Sequence, residues 1–171
     1  HVGMSAKYIL ESLADIPVEV DLASEFRYRD PKLIENSMVI VISQSGETAD
    51  SLAALRLSQE KGRPVLGVVN VIGSSIARES DYVLYTYAGP EISVATTKAY
   101  STQLVAMYLL TIQLAKVKGK ITEEREAELL TEMATLPDKI QRVLEDKERI
   151  QWFASKYANA KDIFFIGRGL D

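Results

Sequence analysis

A chain of 171 residues that is 47% hydrophobic suits one α/β domain with a short remainder. Its 24 acidic and 20 basic residues give a net charge of −4 with no Arg/Lys cluster, which argues against nucleic acid or anionic membrane as a partner. With no Cys and a single His, at position 1, the chain lacks a thiol nucleophile, a zinc cluster of the usual spacing and a buried His base, so any acid/base chemistry falls to Glu, Asp, Lys or Tyr.

In chain order, Val2, Met4, Ala6, Ile9, Leu10, Leu13 and Ala14 recur near helical spacing and stop before Asp15-Ile16-Pro17, which predicts an opening helix. Val18 to Leu22 alternates like a half-buried strand, and Ala23 to Asn36 is a polar loop or short helix. Met38 to Ile42 is a continuous apolar run, the pattern of a central parallel strand covered on both faces. A helix follows over Ala49 to Lys61, stopped by Gly62, and then a strand over Pro64 to Asn70. Gly73-Ser74-Ser75 opens a short helix, and Asp81 to Tyr87 is a further strand. The apolar stretch Tyr100 to Val117 is interrupted by Ser101, Thr102, Gln103, Thr111 and Gln113, so it reads as a buried helix rather than a membrane span. Gly119 ends it. Beyond Ile121 the composition turns to charged amphipathic helices up to about Ala158, with Pro137 breaking the run. Asp162 to Ile166 reads as a new buried strand entering a Gly167-Arg168-Gly169 turn.

Strands alternating with helices across short polar turns predict a doubly wound parallel sheet, because parallel neighbours need right-handed crossovers. Ligands of such sheets bind beyond the carboxyl ends of the strands. Ser43 to Thr48, Gly73 to Ser75 and the turn before Thr96 all fall at those ends. At Ser43-Gln44-Ser45-Gly46-Glu47-Thr48 an apolar strand runs directly into a helix, so unpaired first-turn amides and the positive end of the helix dipole favour an anion there. Ser43, Ser45 and Thr48 add three hydroxyls. Two readings stand at this point: a phosphate cradle, or ordinary helix capping, which Ser, Thr and Glu favour in any α/β protein. Glu47 opposes an anion unless it points away. Thr96-Thr97-Lys98 is a second candidate for sugar or phosphate contact, against a solvated lysine beside a cap; Arg27 and Arg29 are candidate acid clamps, against surface ion pairs.

Ser43 to Leu52, together with Ala23-Ser24-Glu25-Phe26-Arg27-Tyr28-Arg29 upstream and Val94-Ala95-Thr96-Thr97-Lys98-Ala99-Tyr100 downstream, resembles the isomerase half of the glucosamine-6-phosphate synthases, and the likeness runs in order over the whole chain. That half is built of two sugar-isomerase (SIS) domains. The resemblance implies a flavodoxin-like sheet of strand order 2-1-3-4-5, with 1–119 as most of a first SIS domain, 120–158 as a helical connector forming a C-terminal extension, and 162–171 as the start of a second. It implies that Ser43, Gln44, Ser45 and Thr48 bind the phosphate of fructose 6-phosphate and that Val94 and Thr96 line the sugar. Glucosamine 6-phosphate is then the product, formed with glutamine-derived ammonia and with no metal or organic cofactor. The family's first strand, its glutaminase domain and the acid/base groups of its second SIS domain have no counterpart within these residues. By this resemblance the chain is expected to lack its own first strand, no catalytic residue is assigned in it, and by itself it is expected to be inactive. Such a sheet has two open buried edges, which the 162–166 segment is expected to fill, either in the same chain or as a swap within a homodimer. A non-catalytic SIS module that senses phosphosugars is the alternative reading. The cytoplasm is the expected location, from the absence of Cys and of a basic-then-apolar leader.

Overall fold

The computed structural model describes residues 1–93, 96 and 98–167. Three parallel strands form its sheet in the order β1 (Val39–Ser43), β2 (Val65–Val69), β3 (Tyr82–Tyr85), with Val39 opposite Val65 and Leu66 opposite Tyr82. Helices α1 (Val2–Ala14), α2 (Ala23–Phe26), α3 (Ala49–Glu60), α4 (Ser75–Glu79) and α5 (Lys98–Val117) surround it. The helices α6 (Glu123–Ala134), α7 (Leu136–Glu145) and α8 (Lys147–Tyr157) follow.

The sheet is apolar on both faces because its strands are, and alternation decides which residue meets which layer. Ile40, Ile42, Leu66, Val68 and Leu84 face α1 and α5, where they pack with Val2, Ala6, Leu10, Ala106 and Met107. Val39, Val41, Val65, Val69, Val83 and Tyr85 face the opposite layer, against Leu52 and Leu55 of α3 and Ile76 and Ala77 of α4. Strand β2, in the middle, is buried at every position. This is the expected doubly wound parallel architecture.

Helix α1 buries Val2, Ala6, Leu10 and Ala14, four residues apart, as a single stripe. Its end is tied to the far end of α5: Lys118 Nζ donates to the Asp15 carbonyl at 2.7 Å and Lys120 Nζ to the Asp15 carboxylate at 2.5 Å. Gly119, at φ +64°, closes α5, with the Lys120 amide reaching back to the Ala115 carbonyl.

Two strand expectations are corrected. Val18 to Leu22 joins no sheet. A strand is a relation between neighbours, and the backbone of Val18 is occupied by side chains of α1: Lys7 Nζ donates to its carbonyl at 2.5 Å, and its amide donates to Glu11 Oε1 at 3.3 Å. Residues 162–167 likewise form no strand within the chain, and Phe164, Phe165 and Ile166 are 87–95% exposed, so the edge of β1 is not filled by 162–166 of the same chain. Arg168 and Gly169 of the expected turn lie outside the described residues. Helices α6, α7 and α8 bury no residue. Among the described residues no helix is long and apolar enough to cross a membrane.

Candidate functional site

The carboxyl ends of β1, β2 and β3 open into three turns, and hydrogen bonds join them. After β1, Ser43 is 7% exposed, Gln44 and Ser45 are half-buried, and Thr48 stands at the N-cap position of α3. The Thr48 side chain makes no capping hydrogen bond; its Oγ1 lies 3.3 Å from Ser43 Oγ instead. Ser43 Oγ accepts from the Gly46 amide at 3.1 Å, and Ser45 Oγ from the Glu47 amide at 3.2 Å. The hydroxyls thus shape the turn while Thr48 leaves the first-turn amides of α3 without its cap. In a twelve-residue helix that end carries the positive pole of the dipole. The capping alternative, as far as it rests on Thr48, does not hold.

Glu47 is engaged by the neighbouring turn. Its Oε1 accepts the Ser75 amide at 2.8 Å. The hydroxyl and then the amide of Ser75 hold its carboxyl below the usual glutamate value, so Glu47 is anionic but committed to the start of α4. Gly46 is the hinge of the contact. At φ +67° its carbonyl accepts the Ile76 amide at 2.9 Å, and a β-carbon on it would lie 2.1 Å from Ser74 Oγ. The Ser74 hydroxyl is buried there without a partner.

The turn after β2 also reaches the first. The Asn70 amide donates to the Gln44 carbonyl at 3.1 Å. After β3 the chain passes Tyr87 and Gly89, both left-handed, and continues toward Thr96. Thr96 is exposed, and its Oγ1 donates to Glu91 Oε2 at 2.5 Å; this hydroxyl first, then the Ser93 amide, lowers the Glu91 carboxyl. Lys98 Nζ donates to the Pro90 carbonyl at 2.5 Å, which closes the loop onto the start of α5. Val94 and Thr97 lie outside the described residues.

The arginines take the ordinary course. Arg27 Nη1 pairs with Asp50 Oδ1 in the first turn of α3 at 2.7 Å, and Arg29 pairs with Asp21. Neither is a free clamp. Two residues escaped the sequence reading. Asn70 carries no periodic signal, and its three side-chain hydrogen bonds reach residues 16 to 19 positions away. Glu91 does sit in a Gly-Pro-Glu turn whose composition marks a loop, but nothing in that composition marks a carboxylate that gathers it.

A family model described as the SIS domain matches residues 1–113. The whole chain is 56% identical to a glutamine–fructose-6-phosphate aminotransferase [isomerizing] from Caldanaerobacter subterraneus subsp. tengcongensis and 57% identical to one from Clostridium tetani, and it covers 28% of each. The chain therefore spans little more than a quarter of the length of these relatives. Among solved structures, the C-terminal domain of glucosamine-fructose-6-phosphate aminotransferase from Francisella tularensis superposes with a TM-score of 0.96 at 39% identity, over 99% of this chain and 48% of that one.

Proposed function

The chain belongs to the SIS domain family, and from that premise we propose that it is the phosphosugar-binding part of an isomerizing glutamine:fructose-6-phosphate aminotransferase. Its substrate is fructose 6-phosphate, and the product of the whole enzyme is glucosamine 6-phosphate, formed with ammonia from glutamine. Ser43, Gln44, Ser45 and Thr48 hold the phosphate, and Val94 and Thr96 line the sugar. The observation that carries this reading is the amino end of α3. Thr48 leaves it uncapped, the hydroxyls of Ser43, Ser45 and Thr48 surround it, and the carboxylate of Glu47 is engaged by the neighbouring turn.

The chemistry follows from that arrangement. A phosphate dianion placed at the turn meets first-turn amides and hydroxyl donors, and hydrogen bonds to a charged group are worth about 1.5–3 kcal/mol each. The helix dipole adds roughly 0.3–1 kcal/mol more. Binding through the phosphate, which does not react, anchors the ketose so that its carbonyl end is presented consistently to groups elsewhere in the enzyme. The proton shift that turns the ketose imine into the aldose is assigned to no residue of this chain. The division of labour is 1–119 for binding and 120–158 as a connector, with 162–171 as the start of a second SIS domain. A homodimer is part of the same reading, supported by the apolar side chains exposed on α7 and α8.

Calorimetric titration with fructose 6-phosphate tests the site. Ser45→Ala is expected to weaken binding about tenfold, the loss of one hydrogen bond to a charged group. Equal affinity for mutant and parent would remove Ser45 from the site, and no binding by either would remove the site.

A further inference from the structure

Asn70 stands at the carboxyl end of β2, between the phosphate turn and the loop that leads to Thr96, and it bonds to both. Its backbone amide donates to the Gln44 carbonyl at 3.1 Å. Its side chain turns the other way. Oδ1 accepts the Ala88 amide at 2.8 Å and the Thr86 hydroxyl at 3.2 Å, and Nδ2 donates to the Gly89 carbonyl at 2.8 Å. One orientation of the amide satisfies all three partners. A carboxylate would set an oxygen against the Gly89 carbonyl, and an aliphatic residue would leave all three unpaired, so the position needs a donor and an acceptor on one planar group.

The segment held in this way does not hold its shape from local preference. Tyr87 is left-handed at φ 51° and Gly89 at φ 73°, a conformation that a residue with a β-carbon adopts only under strain. Beyond Gly89 the loop is closed by Lys98 on Pro90 and by Glu91 on Ile92, Ser93 and Thr96. The loop is thus tied at Thr86, Ala88, Gly89, Pro90, Glu91 and Thr96, and through Asn70 it meets the turn of Ser43 to Thr48.

Resting on the functional reading above, we propose that Asn70 is a positioning residue for sugar selectivity. It fixes the distance between the phosphate-binding turn and the sugar-lining loop, so that a hexose 6-phosphate spans both while inorganic phosphate uses the turn alone. Its side chain acts through the loop and touches no reacting atom, whereas its backbone hydrogen bond to Gln44 survives any substitution except proline. Phosphate and sugar recognition are therefore separable at this residue.

The test compares the affinities of fructose 6-phosphate and inorganic phosphate in the protein at its full natural length. Asn70→Ala is expected to raise the Kd of fructose 6-phosphate about tenfold, because the hydrogen bonds that order the loop are lost while those of the turn remain. The Kd of inorganic phosphate is expected to change less than about twofold, because the turn keeps its own bonds. Equal weakening of both ligands would show that Asn70 only holds the fold, and unchanged affinity for both would show that the loop does not depend on it; either overturns the inference. If the alanine variant does not fold, Thr86→Val removes a single hydrogen bond from the same amide. It is expected to raise the Kd of fructose 6-phosphate about threefold without moving that of phosphate, and unchanged hexose affinity there is equally fatal. A parent protein that binds neither ligand overturns the functional reading and this inference with it.

Discussion

Gly46 shows how much of the candidate site rests on one residue. Its φ of +67° is open to glycine, and the space beside its α-carbon is taken by Ser74, whose Oγ would sit 2.1 Å and whose Cβ would sit 2.6 Å from an added methyl group. Neither atom belongs to a long flexible side chain that swings clear. Ser74 begins α4, which α3 holds through Arg56 and Glu79, paired at 2.7 and 2.8 Å. Gly46→Ala is expected to cost about 2–4 kcal/mol, combining left-handed strain with overpacking. It is also expected to lose fructose 6-phosphate, because the turn parts from Ser74. A urea denaturation midpoint equal to that of the parent would show that the two turns are not in contact.

At the scale of elements, the join between α3, β2 and β3 depends on Asp81. Its carboxylate accepts the Val65 amide at 2.8 Å and the Gln59 side-chain amide at 3.3 Å, so it ties the start of β2 to the start of β3 and to the end of α3. The Val65 amide first and Gln59 second hold its carboxyl below the ordinary value of 3.8. Because the folded value is the lower one, the stabilisation is full above pH 3.8 and is lost as pH falls through the folded value. Asp81→Asn keeps the shape and removes the charge. The stability gap between parent and variant in urea melts is expected to be largest near neutrality and to narrow below about pH 4, and a gap independent of pH would exclude the charge. These elements are also where the sequence was most readable. The apolar runs of β1 and β2 and the helical spacing of α1 and α5 follow from local pattern, as does the hydroxyl-rich junction at Ser43 to Thr48. Val18 to Leu22 has the alternation of a strand without being one, because alternation describes a strand's faces and says nothing of its partner. The direction of Glu47 is set by Ser75, 28 residues on, and the role of Asn70 by Thr86, Ala88 and Gly89. No local period carries such information.

The whole molecule divides by burial into two regimes. Strand β2 is enclosed at all five positions between α1 and α5 on one side and α3 and α4 on the other, whereas α6, α7 and α8 hold no buried residue. Ile140, Val143 and Leu144 of α7 and Trp152 of α8 are each more than half exposed. Apolar surface gathered on consecutive helices marks a face that another body covers. Amide exchange of the 171-residue chain should follow this division: β2 amides open only with global unfolding, while those of α7 and α8 open locally and exchange orders of magnitude faster. The proposed homodimer adds a dependence on concentration. If a second copy covers α7 and α8, their protection rises with protein concentration, and that of β2 rises with it, because a partner that binds only the folded chain also opposes global unfolding. Protection of α7 and α8 equal to that of β2 in dilute solution would contradict the two regimes. Protection that stays low at every concentration would leave the cover of α7 and α8 to a different part of a longer chain rather than to a second copy.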